Sequence, residues 1–384
     1  VSCAETILLV DDDRSITEGL AAALERSGRT TIICSDVEAA EILLAKHPIT
    51  HLVTDVQFSG DFGFEGLHFI GRARKVAPNC RIVMMTGHVT GSLERAAKAF
   101  GASEVLAKPF TGVELEAALG TTGAPAGAES EYQLLRFPGI TEVIASEELA
   151  VAYQPILRIA DDEVEPFAFE ALTRVKGQWL FGGPETLFEY AERRGQLVEL
   201  NLAAIERAIA NAGALPGEPM IFVNVDPQVF TSQGLLPALL RASQRSAVSL
   251  SRIVLEVTER SGFDDEEAAA QTFETLRCLG LRFALDDHAS AYSHFGMIEA
   301  IRPSFIKISN AFGTDFETNG TRSRIVRHIA FLAHDLGCQT VLEGVESEAT
   351  TGAAREIGID LVQGYHYGPP NGAAHWSRLT ANAA

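Results

Sequence analysis

Seven short apolar runs in the last two thirds of the chain each end in a residue that can ligate a metal or carry charge. They read Phe167-Ala168-Phe169-Glu170, Ile221-Phe222-Val223-Asn224, Ile253-Val254-Leu255-Glu256, Phe283-Ala284-Leu285-Asp286-Asp287, Phe305-Ile306-Lys307, Thr340-Val341-Leu342-Glu343 and Leu361-Val362-Gln363. Successive terminal residues lie 20 to 54 positions apart. That leaves room for a helix and its loops between neighbours, so the pattern predicts parallel strands joined by crossover helices. A closed parallel barrel gathers its strand ends on one face, where active sites sit. Oxygen ligands and one lysine collected there suit hard divalent cations and a phosphate. One apolar run ending in Glu is ordinary; seven in succession restrict fold and chemistry together.

At 384 residues the chain exceeds one ordinary domain. It is 46% hydrophobic and 21% charged, a balance that supports sizeable buried cores. Its apolar runs are far shorter than a membrane span. The N-terminal run Ile7-Leu8-Leu9-Val10 meets Asp11-Asp12-Asp13 at once, unlike a signal peptide. The five cysteines (3, 34, 80, 278 and 338) form no C-x-x-C pair, so we expect no disulfide framework or zinc site, and a cytoplasmic setting. A formal charge of −20 opposes extended nucleic-acid binding, which needs basic surface. It permits a small phosphorylated ligand, because a divalent cation reverses the local sign.

Residues 1 to about 119 alternate β-like runs with amphipathic helical stretches. The runs are Thr6 to Val10, Thr30 to Cys34, His51 to Asp55, Arg81 to Thr86 and Glu104 to Ala107. Five βα units predict a flavodoxin-like, doubly wound parallel sheet. The small-residue stretch Gly120 to Ala128 reads as a linker, and Glu129 to Arg136 as a short connecting helix. Asp11 and Asp12 follow the first run, Asp55 ends the third, Thr86 ends the fourth, and Lys108 follows the fifth. In a doubly wound sheet these ends meet in one crevice. Carboxylates, a hydroxyl and a lysine there make a magnesium site with an oxygen able to take a phosphoryl group. Residues 1 to about 119 resemble a response-regulator receiver domain. The resemblance implies that Asp55 is the phosphoacceptor, that Asp11 and Asp12 help hold one Mg²⁺, and that Thr86 and Lys108 contact the phosphoryl group. It implies a sensor histidine kinase as donor. Two features depart from the family: the loop from Val56 to Gly66 is long, and Val105 stands where a switch aromatic is usual. Phe58, Phe62 and Phe64 in that loop read either as a contact with another domain or protomer, or as packing on their own domain.

In the later stretch, Glu170, Asn224, Glu256, Asp286 and Asp287 can ligate two hard cations. Such a pair, about 3.5–4 Å apart, activates water and stabilises both oxygens of an in-line displacement. Lys307 can hold the water or neutralise developing charge, while Glu343 and Gln363 complete the ring. Tyr153-Gln154-Pro155-Ile156, Glu170-Ala171-Leu172-Thr173-Arg174, Asn224-Val225-Asp226-Pro227, Leu255-Glu256-Val257-Thr258-Glu259, Asp286-Asp287, Lys307-Ile308, Glu343-Gly344-Val345-Glu346 and Gln363-Gly364-Tyr365 together resemble an EAL domain over about 141 to 375. That resemblance implies a modified TIM (β/α)8 barrel that hydrolyses cyclic di-GMP to linear pGpG with two Mg²⁺ or Mn²⁺ ions. By motif position, Glu170, Asn224, Glu256 and Asp286 ligate metal, and Asp287 bridges or ligates the second ion. Glu343 and Lys307 assist metal and water, Gln363 supports the site, Arg174 contacts a substrate phosphate, and Glu259 holds the loop after the sixth strand. Active members usually carry glycines where this chain has Ala289 and Ala291, and Asp where it has Ser309. A catalytically degenerate EAL domain that binds cyclic di-GMP or a protein partner is therefore the alternative reading.

Together these readings give a receiver at 1–122, a linker at 123–140 and an EAL domain at 141–384. They imply a homodimer and neither nucleic acid nor membrane as partner. The amphipathic stretch Leu187 to Ala212 reads as one outer barrel helix. His288 and His294 read as solvent-facing or locally bonded loop residues, and Asp264 to Glu267 as an acidic helix start.

Overall fold

The computed structural model describes residues 5–25, 28–58, 65–87, 89–120, 133–160, 163–176, 182–258, 263, 265–286, 295–313 and 318–383. Their contacts divide into two units.

The first unit comprises the described residues of Val1–Ala145 and Gly177–Gly195. Its sheet has strands β1 (Glu5–Val10), β2 (Arg29–Cys34), β3 (His51–Asp55), β4 (Arg81–Thr86), β5 (Glu104–Ala107) and β6 (Gln133–Arg136). All neighbours pair in parallel, in the order β5-β4-β3-β1-β2-β6. Helices begin where short polar side chains take the first free backbone amides. Asp13 accepts from Ser15 N, Asp36 from Ala39 N, and Thr111 forms a capping box with Glu114. One face of the sheet buries Ile7, Leu9, Val53, Val83 and Met85 against Leu115 and Leu119.

Strand β6 corrects the expectation of a helix over Glu129 to Arg136. Gln133–Arg136 instead pairs in register with Thr30 to Ile33 of β2. The edge of β2 offers a row of unpaired N–H and C=O groups, and four residues can satisfy them. A helix that short gains little hydrogen bonding for its ordering cost. The single helix expected over Leu187 to Ala212 is likewise two, Pro184–Arg193 and Leu197–Ala212. Gly195 between them has φ +65°, a left-handed conformation that ends a helix.

The second unit comprises the described residues of Ser146–Lys176 and Gln196–Ala384. Its strands are β7 (Leu149–Ala160), β8 (Glu163–Val175), β9 (Met220–Val225), β10 (Ile253–Thr258), β11 (Arg282–Asp286), β12 (Phe305–Ile308), β13 (Gln339–Leu342) and β14 (Leu361–Val362). They close in the order β10-β11-β12-β13-β14-β7-β8-β9. All seven apolar runs lie on barrel strands. The eighth strand, β7, runs antiparallel to both neighbours, which makes this a modified (β/α)8 barrel. Alternation explains the rest. Ala168, Phe222, Val254, Ala284, Phe305, Val341 and Leu361 form the barrel's inner core. Each is followed two residues later by Glu170, Asn224, Glu256, Asp286, Lys307, Glu343 or Gln363. Side chains two apart on a strand share a face, so every terminal group points inward. Ile221, Val223, Ile253, Leu255, Phe283 and Leu285 face the outer helices instead. Among the described residues no helix is long and apolar enough to cross a membrane.

Arg29 carries much of the first unit's polar order. It is 1% exposed, donates to Glu5 Oε2 (2.8 Å), Glu116 Oε1 (2.7 Å) and Leu24 O (3.0 Å), and so ties two strands to two helix ends. Arg29→Met should destabilise this unit by about 2–3 kcal/mol, below the full cost of stranding a buried charge because both glutamates reach solvent. Urea titration of the full chain, following the first unit's transition, checks it; a loss under about 0.5 kcal/mol would mean that the guanidinium contributes no more than a surface pair does.

Candidate active site and phosphoacceptor crevice

In the second unit the inward strand ends converge on one ammonium. Lys307 Nζ lies 2.8 Å from Glu343 Oε1, 2.9 Å from Glu256 Oε1, 3.3 Å from Asp286 Oδ1 and 3.4 Å from Glu170 Oε1. Lys307 is 1% exposed and Glu256 fully buried. Gln363 Nε2 donates to Glu170 Oε2 (2.6 Å) and to Gln154 Oε1 (3.2 Å), and Asn224 Nδ2 reaches Glu170 Oε1 at 3.3 Å. Glu170 is thereby held from both sides by neutral amides. Gln154, from the antiparallel strand β7, carried no role in the sequence reading. Its motif was visible, but an inward position on a strand of opposite direction was not.

The electrostatics are unbalanced. Burial pushes the Glu256 carboxyl far up; Lys307 opposes this, while Glu170 and Asp286 add to it. Burial raises Glu343 to about 7, again against the pull of Lys307. Burial alone would lower Lys307, but four carboxylates outweigh it and its ammonium is held well above its usual range. Although Lys307 Nζ is within 3 Å of Glu256 Oε1, its approach lies outside hydrogen-bond geometry. Both Glu256 oxygens and Asp286 Oδ1 are buried without a hydrogen-bond partner. Orphaned buried oxygens are costly unless something positive meets them. The carboxylates converge on Lys307 rather than on each other, and among the described residues no three acid, His or Cys groups already stand at metal-holding spacing. The donor set nevertheless fits hard divalent cations: all oxygen, with unused lone pairs and an excess of negative charge over one ammonium.

A cleft of about 290 Å³ opens beside these groups, lined by Gln154, Glu170, Leu172, Asn310, Glu343, Gly344, Glu346, Gln363, Gly364 and Tyr365. Two glycines shape its wall. Gly344 has φ +70°, and a Cβ there would lie 2.8 Å from that of Asn310. A Cβ on Gly364 would come within 2.0 Å of Val345 O. Arg174 follows Glu170 and Leu172 on the same face of β8 and donates to Thr173 O (2.8 Å). Ser309 lies one residue past β12; its hydroxyl accepts from Ala311 N and starts the short helix Asn310–Gly313. Leu342 packs outward in the helix layer. Asp265 caps the helix Glu266–Cys278, as the acidic helix start requires. Asp287, Glu259, His288, Ala289, Ala291 and His294 lie outside the described residues, as do Phe62 and Phe64.

In the first unit the strand order reverses between β1 and β3, which is where such sheets bind ligands. Lys108 Nζ donates to Asp11 Oδ2 (2.7 Å) and Asp55 Oδ2 (2.8 Å) across that crevice. Asp55 Oδ1 accepts from Val56 N (2.6 Å). Burial raises Asp11 despite Lys108. Lys108 itself is raised, because its bonds to Asp11 and Asp55 outweigh its burial. Thr86 is buried at the end of β4 and Asp12 is exposed beside Asp11. Gly66 lets the chain return over the acid: a Cβ there would lie 2.5 Å from Asp55 O.

Comparison with known proteins matches these two regions separately. A model of the EAL domain matches residues 140–370, and one of the response regulator receiver domain matches residues 7–120. An uncharacterized signaling protein of Caulobacter vibrioides is 32% identical over 228 residues, 59% of this chain and 28% of that protein. The cyclic di-GMP phosphodiesterase PdeB of Shewanella oneidensis is 25% identical over 243 residues, 62% of this chain and 28% of its own. The chain thus spans under a third of the length of these relatives. Among solved structures, a c-di-GMP complex of the PaMucR phosphodiesterase is 25% identical with a TM-score of 0.54, covering 62% of this chain and 97% of that one. A manganese and cyclic-diGMP complex of Klebsiella pneumoniae BlrP1 is 26% identical with a TM-score of 0.52, covering 60% and 57%. With its barrel matched over more than half of its length, the chain belongs to the EAL domain family and carries a response regulator receiver domain ahead of the barrel.

Proposed function

We propose that this protein is a phosphorylation-regulated cyclic-di-GMP phosphodiesterase that opens its substrate to linear pGpG. One observation carries the reading: four carboxylates surround Lys307 while three of their buried oxygens lack any hydrogen-bond partner. Glu170, Asn224, Glu256 and Asp286, with Asp287, would hold two Mg²⁺ or Mn²⁺ ions. When bound, such a pair supplies an activated water and stabilises the attacking and leaving oxygens of a phosphodiester.

The chain's own groups do the rest. Gln363, braced by Gln154, fixes the Glu170 carboxylate, so its orientation does not have to be found in each turnover. Lys307 Nζ faces the centre of the carboxylate ring, where it orients the attacking oxygen and offsets charge on the phosphoryl group. Glu343 borders both Lys307 and the cleft, on the route by which a proton leaves that oxygen. The water oxygen bonds to phosphorus, one phosphorus–oxygen ester bond breaks, and the departing ribose oxygen takes up a proton. Arg174, beyond Leu172 on the face of β8 that lines the cleft, meets a substrate phosphate. Glu259 supports the loop following β11. In the receiver, Asp55 takes a phosphoryl group from a sensor histidine kinase, with Asp11 and Asp12 holding one Mg²⁺ and Thr86 and Lys108 contacting the phosphate. A homodimer is the working assembly.

The test is incubation of the full chain with cyclic di-GMP and Mg²⁺ or Mn²⁺, with and without an acyl-phosphate mimic, following pGpG. Turnover is expected. Its absence in every condition, with ligand still bound, would replace the enzyme by a cyclic-di-GMP-binding effector. Glu170→Ala should remove at least about 10²-fold of kcat, the scale of losing one electrostatic group aimed at the reacting centre; activity surviving that change rejects the metal assignment. Gln363→Ala should cost about 10- to 100-fold in metal affinity or kcat, the usual effect of removing a partner that orients a ligand. Metal titration at fixed substrate separates the two outcomes.

A further inference from the structure

One helix of the EAL stretch belongs, by its contacts, to the receiver's unit. Pro184–Arg193 falls inside the segment matched by the EAL model, yet it clusters with residues 1–145. Tyr190, 2% exposed, donates its hydroxyl to Asp36 Oδ2 at 2.8 Å, and its ring meets that of Phe137 edge-on with centroids 5.1 Å apart. Arg193 and Arg194 pair with Glu41 and Glu38 at 3.2 and 3.3 Å. Asp36 uses its other oxygen to cap the helix Val37–Lys46, so one side chain serves both helices.

The path from Asp36 to the phosphoacceptor crevice is short. Asp11 N, in the crevice, donates to Cys34 O at the end of β2. Ser35 and Asp36 follow directly. A cleft of about 60 Å³ beside them is lined by Asp11, Ser35, Arg136 and Phe137 among others. The crevice thus adjoins the β2 end, where strand β6 is also paired. The opposite edge strand, β5, carries the aliphatic Val105, half-buried. Beyond the helix, the chain runs in one direction to Val175, the end of the strand bearing Glu170 and Arg174, and in the other to the helix Leu197–Ala212.

We propose that the helix Pro184–Arg193 is the receiver's output lever, latched to the β2 edge by the Tyr190–Asp36 bond. Phosphorylation at Asp55 shifts the β2 end, loads or releases the latch, and moves a helix whose two ends are covalently continuous with the barrel's chain. The device needs two states of one element, biased by the modification. It rests on the reading of Asp55 as phosphoacceptor.

Hydrogen exchange of the full chain, with and without beryllofluoride and Mg²⁺, tests it. Amides of 51–56 report occupancy of the crevice and amides of 184–195 report the lever. In the wild type both should change, the lever amides by about tenfold, the scale of one charge-assisted hydrogen bond. Asp55→Asn should abolish both changes. Tyr190→Phe keeps the ring against Phe137 and should leave the 51–56 response intact while abolishing that of 184–195. Arg194→Ala, a half-exposed change, should reduce it partly. A responding crevice with an unchanged lever overturns the proposal, and so does a full lever response in Tyr190→Phe. A silent crevice removes the input and the proposal with it. Failure of the phosphodiesterase reading appears separately, as no pGpG from the wild type, and leaves the exchange result standing.

Discussion

The second unit depends on one buried ammonium. Lys307 sits where seven parallel strands end, and four carboxylates approach it within 3.4 Å. Burying that many like charges would be prohibitive without a cation among them. The lysine stands in their midst, on a strand whose inner face is otherwise apolar, and this lets the acids remain close in a dry place. One ammonium cannot satisfy four carboxylates: Glu256 Oε1 and Asp286 Oδ1 meet its charge without a hydrogen bond, and Glu256 Oε2 has no hydrogen-bond partner at all. The fold thus holds the ring together while leaving it electrostatically incomplete, which is the condition a hard cation requires.

Most of this was legible in the sequence because β-strands repeat every two residues. An apolar side chain inside a barrel fixes the direction of the residue two further on, and the seven runs each carried that pair. The receiver's crevice was legible for a related reason: acids and a lysine at strand ends need only the sheet order to bring them together. What was not legible had a different physical origin. The direction of β7 is set by pairing with β14 and β8, and no local pattern encodes it; the inward position of Gln154 is therefore not visible in the sequence. The strand at Gln133–Arg136 exists because β2 had an open edge, a property of the partner rather than of those four residues. The break at Gly195 was missed because amphipathicity continues across it while the backbone does not. Ser309 and the groups of the 287–294 loop differ again: residue identity was plain, but identity does not fix loop conformation.

The two sites solve the same problem at different depths. In the receiver, Lys108 bonds to two acids at once, and its own side chain keeps about a fifth of its exposure. The crevice is the more open of the two, with Asp55 also partly exposed. In the barrel the lysine is almost fully enclosed and Glu256 is beyond solvent. Enclosure strengthens every charge interaction there, because fewer water dipoles compete. A small displacement of one carboxylate therefore costs more in the barrel than in the receiver, and the hydrogen bonds from Gln363 and Asn224 to Glu170 resist such a displacement.

That difference in stiffness bears on how a signal could pass along this chain. A buried ring that tolerates little movement is a poor place to receive a modification and a good place to be switched by one. Glu170 lies on β8, whose pairing with β7 runs the whole length of both strands and shifts register only at Ile156/Leu157. The strand is therefore hard to deform as far as Val175, and Lys176 N still donates to Glu148 O beyond it. The residues that follow that end lead into the helix Pro184–Arg193, where Tyr190 meets Asp36. Along this strand Arg174 and Leu172, which lines the cleft, stand between that end and Glu170, which two amides hold in place. A displacement entering at the end of β8 would therefore alter the cleft wall before it altered the carboxylate ring.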